Sequence, residues 1–443
     1  MRCLTMSRNQ PFPLLLAADL PPAGVVLGAL GVVIILFALR PRPQPFRFVP
    51  PRLNRLVVRL VEWQLPWLLR RLMHVTRVEL SDDDLARLRA LTRERCALCP
   101  NHPTTLDPLV LFELGRRTGQ PFHYLGSVES FATPLARWLL PAIGGYSIMR
   151  GTVDRESFRM TRQLLAAGSR PLVIFPEGEA CGHNDLLMPL QQGPAQFGFW
   201  ALEDLAKVGP LPPLRLVPIT LRYEYERDMA DEINRALARL EAPLGLAPAT
   251  GQPSYERLRQ IGLTLIAAME HQYEVRPAKD ASFDARMQAV KEEVVARAAR
   301  MLGVIFKPEQ PLLERLRQVF VAADRFIYEA QPASLYEHAL HHRREREIRA
   351  LHDDLWRMLR FVAFRDGYVG ERPTAERFLT VIARLEEEVL GAAHWRGPQR
   401  VIVSVGEPVD LTAFIESYHR DKRAAVGAAT HQLETALRAM LEV

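Results

Sequence analysis

Cysteine is scarce in these 443 residues: Cys3, Cys96, Cys99 and Cys181 are too few and too scattered for a disulfide framework. That excludes the disulfide-stapled secreted class and fits a reducing compartment. No Gly-x-Ser-x-Gly string occurs, which excludes a serine nucleophile on a strand-to-helix elbow. No internal repeat, low-complexity tract or nucleic-acid motif is present, so solenoids and nucleic-acid partners are set aside. Metal-ligand spacing is also missing. Cys96 and Cys99 form a C-x-x-C, but the run Ala97–Pro100 reads as a strand, where residues three apart face opposite sides. His338, His341, His342 and His352 are mixed with Arg343, Arg344 and Arg346 and read as a solvated helix face. Neither a metal nor another cofactor is expected.

Charge is nearly balanced, 57 Lys+Arg against 51 Asp+Glu, but unevenly placed: nine arginines and one acid, Glu62, lie between Arg40 and Arg77. Such a segment is drawn to anionic headgroups, by about 1 kcal/mol per basic residue near the surface. Just before it, Ala23–Leu39 carries no charge; as a helix it extends about 25 Å against a hydrocarbon core of roughly 30 Å. No small-residue cleavage site follows, so an uncleaved anchor is expected, in the inner or cytoplasmic membrane. The arginines on its C-terminal flank place the remainder on the cytoplasmic side. In Leu53–Met73, Leu56, Leu60, Trp63, Trp67 and Met73 alternate with Arg55, Arg59, Arg70 and Arg71. This predicts an interfacial amphipathic helix in contact with membrane phospholipids, kinked at Pro66. Its rival is an ordinary helix packed on the following domain.

Ser81 followed by three aspartates and Leu85, Leu88 and Leu91 is a capped helix start. Beyond it, strands at His123–Gly126, Pro171–Phe175 and Leu214–Leu221 alternate with helical segments such as Arg155–Ala167, which predicts an α/β fold with a substantially parallel sheet. After Tyr225 the periodicity is helical through Gly391. Val401–Val405 is again strand-like, and a lone strand so late implies a return to the first sheet. The expected partition is 1–77 membrane-binding, 78–224 α/β domain, 225–399 helical insertion, and 400–443 return strand and terminal helix.

Four strings carry the chemistry. Asn101-His102-Pro103-Thr104-Thr105-Leu106-Asp107 follows a strand, and five residues across a turn let Asp107 accept a hydrogen bond from one imidazole nitrogen, making the other a base. The carboxyl end of a strand is where α/β sheets bind ligands. Phe175-Pro176-Glu177-Gly178 reads as a sharp loop presenting a carboxylate. Gly144 to Arg150 reads as a flexible loop ending in a fixed cation suited to phosphate. Val217-Pro218-Ile219 is apolar.

In this order and spacing the four strings resemble the glycerolipid acyltransferase family, of the 1-acylglycerol-3-phosphate acyltransferase kind. Asn101, His102 and Asp107 match the first block, Gly144 and Arg150 the second, Phe175 through Gly178 the third and Pro218 the fourth; Gly406-Glu407-Pro408 matches the end of the terminal strand. The resemblance implies an acyltransferase-type mixed sheet flanked by helices. It implies an O-acyltransferase of phospholipid biosynthesis with a thioester co-substrate, acyl-CoA or acyl-carrier protein, and a lysophospholipid acceptor, first of all 1-acylglycerol-3-phosphate. His102 and Asp107 would be catalytic, and Asn101, Gly144, Arg150, Phe175, Pro176, Glu177, Gly178 and Pro218 substrate-binding. Two departures stand out: Glu179-Ala180 replace the usual Thr-Arg or Ser-Arg of the third block, and Ser127 stands where a lysine is usual. They weaken the case for a phosphate acceptor, so a glycolipid or aminolipid acceptor stays open, as does a non-catalytic lipid-binding scaffold. The sequence leaves the oligomeric state open.

Overall fold

The computed structural model describes residues 47–149, 154–180, 182–247, 251–329, 334–361 and 365–442. The expected anchor Ala23–Leu39, Cys3, Cys181 and Arg150 lie outside these residues, as do the side chains of His338, His341 and His342.

Helix α1 (Arg55–Met73) begins on Asn54, whose side chain accepts from the Leu56 and Val57 amides, and runs through Pro66. After it come β1 (Val75–Leu80), α2 (Asp82–Leu91), β2 (Arg95–Pro100), α3 (Asp107–Thr118), β3 (His123–Ser127), α4 (Pro134–Ala142), β4 (Gly145–Ile148), α5 (Arg155–Ala167), β5 (Leu172–Val173), α6 (Gly193–Ala206) and β6 (Leu214–Tyr225). Ser81 caps α2 by accepting from the Asp84 amide, with three aspartates in the first turn facing the positive end of the helix dipole. Seven helices among the described residues separate β6 from its next partner: α7 (Ala230–Glu241), α8 (Ser254–Gln272), α9 (Phe283–Leu302), α10 (Leu312–Glu329), α11 (Leu335–Arg360), α12 (Tyr368–Glu371) and α13 (Ala375–Val389). The chain then adds β7 (Gln399–Val405), β8 (Val409–Asp410), α14 (Ile415–Arg420) and α15 (Lys422–Leu441).

The sheet is mixed, in the order β1-β7-β6-β2-β5-β3-β4, with β8 beside β6. From β6 to β4 the strands are parallel; β7 runs antiparallel to β6 and parallel to β1. The first half of β6 pairs with β2 and its second half with β7, so the strand that follows the helical segment closes onto the one that precedes it.

Period-two alternation decides which face each side chain covers. Cys96, Leu98, Val217, Ile219, Val401 and Val403 point into a core shared with α1, α2 and α3. Ala97, Cys99, Leu214 and Leu216 point the other way, onto α5, α6 and α15. The two cysteines of the C-x-x-C therefore sit on opposite faces, both buried, and burial pushes the Cys96 thiol up to about 12. The helices after β6 form a further core of their own around Ile261, Val290, Val294, Leu316, Leu355 and Ile382.

Three expectations change. The stretch read as a flexible loop, Gly144 to Arg150, holds a buried strand: Gly145–Ile148 pairs with β3. Its glycines serve close packing, since a Cβ on Gly144, at φ +100°, would meet the Phe122 carbonyl at 2.4 Å. The strand at Pro171–Phe175 is only two residues long, because the chain turns away into the site loop. Helix α1 is both things the sequence offered as alternatives. Val58, Leu65, Leu69 and Met73 pack on the domain, whereas Leu56, Leu60 and Trp63 are 76, 54 and 67 % exposed on the outer side. Among the described residues no helix is long and apolar enough to cross a membrane.

Candidate active site

β2 ends on Pro100, and the next six residues form the loop that delivers Asp107 to the first turn of α3, where the helix dipole favours a carboxylate. Asp107 is fully buried and accepts four hydrogen bonds: His102 Nδ1 at 2.8 Å, the Thr104 amide at 2.9 Å, Thr104 Oγ1 at 2.8 Å and the Tyr223 hydroxyl at 2.5 Å. Such saturation is what lets a carboxylate stay charged away from water. Burial and the charge of Asp107 hold the Tyr223 hydroxyl well above its ordinary range, so it remains a donor. The His102 ring stacks on Phe175 with centroids 3.9 Å apart and an interplanar angle of 21°. Two neighbours thus fix its orientation. With Nδ1–H donating to Asp107, the ring's lone pair resides on Nε2, the tautomer a general base requires.

The remaining motif residues play different parts. Asn101 is buried, and its amide both accepts from and donates to the Leu221 backbone, at 2.7 and 3.2 Å, extending the β2–β6 ladder by one step. Glu177, also buried, accepts the His102 amide at 2.7 Å on one oxygen and the Met188 amide at 2.9 Å on the other. Its carboxylate therefore clamps the histidine loop to the loop that follows β5. Gly178, at φ +82°, turns that loop, and Pro176 accepts from the Gln191 amide. Gly144 enters β4 one residue before Gly145, which pairs with Tyr124 well short of the strand ends that carry Asn101 and Phe175. Pro218 is buried in β6 opposite Cys99, its carbonyl accepting from Gly406. The structure gathers Asn101, His102, Asp107 and Phe175 to Gly178 at one end of the sheet, and leaves Gly144 and Pro218 out of that cluster.

A cavity of about 470 Å³ opens beside the loops, bordered by Thr104, Thr105, Glu177 and Tyr223 on one side and by Arg317 and Trp356 from the helical segment on the other. That segment also grips the loop after Glu177. Arg377 pairs with Asp185 at 2.6 Å, Tyr368 donates to the same carboxylate at 2.6 Å, and Arg317 Nη2 donates to the carbonyls of Glu177 and Pro189 at 3.2 and 3.0 Å. Asn184 ties the loop to β6 through both backbone groups of Tyr223.

Tyr223 and Thr104 bond to Asp107 in the candidate site, although the motifs do not announce them. The signal for Tyr223 was its parity: it continues the inward-facing series Val217, Ile219, Leu221 beyond Pro218 and brings a hydroxyl into an otherwise apolar face. Tyr223→Phe keeps the ring and removes one donor from Asp107. A drop of about tenfold in kcat/KM and about 1 kcal/mol in stability is expected. Steady-state kinetics and urea midpoints check it; unchanged kinetics would remove the hydroxyl from the site.

His183, buried in the same loop, is pushed down to about 4 by desolvation and by Arg384. Between pH 6.5 and about 4 the unfolded chain binds the extra proton and the folded one does not, so this contribution to stability is complete above pH 6.5 and is lost as pH falls. The loss approaches roughly 3 kcal/mol at the acid end. Urea midpoints from pH 7 to pH 4.5 should fall more steeply in wild type than in His183→Gln; parallel curves would contradict the assignment.

Fold and pair together define an α/β protein in which a buried carboxylate orients an imidazole at one end of the sheet. Residues 78–209 match the model of the Acyltransferase family, so over this stretch, which carries His102, Asp107 and Glu177, the chain is similar to acyltransferases. No curated protein matches the chain.

Proposed function

We propose that the protein transfers a fatty acyl group from an acyl thioester, acyl-CoA or acyl-carrier protein, to the hydroxyl of a lysophospholipid in phospholipid biosynthesis, with 1-acylglycerol-3-phosphate the first acceptor to test. The observation that carries this reading is the buried Asp107 holding His102 Nδ1 at 2.8 Å inside an acyltransferase domain. His102 Nε2 takes the proton of the acceptor hydroxyl as its oxygen attacks the thioester carbonyl; the C–O bond forms, the C–S bond breaks, and the proton passes from His102 to the departing thiolate. Asp107 stabilises the imidazolium in between. Glu177 acts through the loop it clamps, as a positioning residue, and Arg150 remains a proposed phosphate contact.

The outer face of α1 supports membrane association. It sets Leu56, Leu60 and Trp63 among exposed Arg55, Arg59, Arg70 and Arg71, with Trp138 of the neighbouring α4 also exposed. Apolar side chains rimmed by arginine suit an anionic lipid surface. An anchor at Ala23–Leu39, with the arginines on its C-terminal flank, would put the catalytic domain on the cytoplasmic side of the inner or cytoplasmic membrane. The partition into 1–77, 78–224, 225–399 and 400–443 goes with this reading.

A second acceptor class has one observation in its favour: Glu179 and Ala180 stand at the cavity with a carboxylate and no cation where an arginine would suit phosphate, which favours a glycolipid or aminolipid. The test is transfer of labelled palmitate from palmitoyl-CoA and from palmitoyl-acyl-carrier protein to a panel of lysolipids in vesicles. Transfer to lysophosphatidate supports the main reading, transfer only to uncharged or amino acceptors supports the second, and no transfer to any acceptor contradicts both.

A further inference from the structure

The cavity beside the site is lined by three arginines, all brought by residues beyond β6: Arg317 on α10, Arg384 on α13 and Arg396 just before β7. Two are neutralised. Arg384 pairs with Glu387 at 2.9 Å, and Arg396 pairs with Glu386 at 2.5 Å and Glu232 at 3.2 Å. Arg317 has no carboxylate within ion-pair distance among the described residues; Nη2 holds the carbonyls of Glu177 and Pro189, and the guanidinium borders the cavity. Burial works against its charge. The guanidinium is half-buried, bonded to two neutral carbonyls and with only the more distant Glu177 and Glu314 acting in favour of its charge, so it can still accept a counter-ion from a ligand in the cavity. Four acids also line the cavity: Glu387 is engaged by Arg384, Glu376 by the Tyr225 amide and Glu177 by the His102 and Met188 amides, and Glu179 shares the same wall.

Resting on the acyl-transfer reading above, we infer that Arg317 binds the anionic group, a phosphate, of the acceptor's headgroup, so that the helical insertion selects the acceptor. The geometry suits this role. Arg317 is held on the backbone of Glu177, the residue whose carboxylate takes the His102 amide, so one short relay fixes the headgroup relative to the base. The cation absent from the third motif would thus arrive from 140 residues further along the chain.

The experiment uses the full chain in detergent, with calorimetric titration of glycerol 3-phosphate, inorganic phosphate and coenzyme A, followed by transfer kinetics. Wild type and His102→Ala are expected to bind glycerol 3-phosphate alike, and Arg317→Gln to bind it at least about tenfold more weakly with unaltered affinity for coenzyme A. In transfer, Arg317→Gln should lower the kcat/KM ratio of lysophosphatidate to monoacylglycerol by a similar factor. Wild-type affinity in Arg317→Gln, no binding of glycerol 3-phosphate by wild type, or a loss confined to coenzyme A would each overturn the inference, the last by assigning Arg317 to the donor. Inorganic phosphate bound as tightly as glycerol 3-phosphate would overturn recognition of a headgroup. If Arg317→Gln does not fold, Arg317→Lys keeps the charge without the fork and should bind several-fold more weakly; equal binding overturns the inference. Absence of His102-dependent transfer would sink the proposed function alone, because the titration decides Arg317 without it.

Discussion

Asp107→Asn is expected to lower kcat/KM by about three to four orders of magnitude and to cost roughly 2–4 kcal/mol of stability. Every group around this carboxylate donates: His102 Nδ1, the Thr104 amide, Thr104 Oγ1 and the Tyr223 hydroxyl. Asparagine offers one oxygen and one NH₂: with NH₂ at the Oδ2 position it faces the imidazole Nδ1–H and the Thr104 amide, and with NH₂ at the Oδ1 position the Thr104 and Tyr223 hydroxyls must turn to accept, losing their charge-assisted bonds. The catalytic loss is larger than a missing hydrogen bond suggests. If NH₂ faces the imidazole, the ring must present Nδ1 as acceptor, the proton moves to Nε2, and the base is in the wrong tautomer. Kinetics on the folded fraction, with urea midpoints measured in parallel, separate the two effects. Loss of stability with activity intact would place catalysis elsewhere.

Glu177→Gln should cost about 2–3 kcal/mol and lower kcat/KM by about a hundredfold, mainly through kcat. Its two oxygens serve the amides of His102 and Met188, and glutamine leaves one of those amides facing NH₂. The loop moves, and His102 moves with it; a misplacement of about 1 Å at a reacting group is enough for such a loss. The competing role, direct contact with the acceptor, makes a different prediction: stability unchanged and the loss concentrated in KM for the acceptor.

The sheet was largely legible because both of its faces are covered. Apolar runs such as Leu214–Leu221 and Val401–Val405 stand out in sequence when neither side meets water. β1 was not, since Thr76 and Arg77 break its pattern at the sheet edge. β4 was misread because its glycines look like flexibility, although Gly145 leaves space for the Leu140 carbonyl, which a Cβ would meet at 2.9 Å. At the site, the pairing of His102 with Asp107 was readable since both residues lie on one short loop. What Asn101, Glu177 and Tyr223 do was not readable: their partners lie 120, 75 and 116 residues away, and a motif names a side chain without saying whether it faces substrate or backbone. Arg317 shows the same limit at greater range. Nothing in the helical periodicity of α10 marks one arginine as belonging to a cavity built by another part of the chain.

The most direct test of the central claim follows thiol release and lipid acylation together, from palmitoyl-CoA and a lysolipid acceptor, in vesicles bearing wild type or His102→Ala. If His102 is the base of a direct transfer, wild type releases one thiol for each acylated lipid, and His102→Ala, equally folded and equally vesicle-bound, loses both signals together by two to four orders of magnitude, about the range a positioned general base contributes. Thiol and acylated lipid appearing at undiminished rates in His102→Ala would contradict the account.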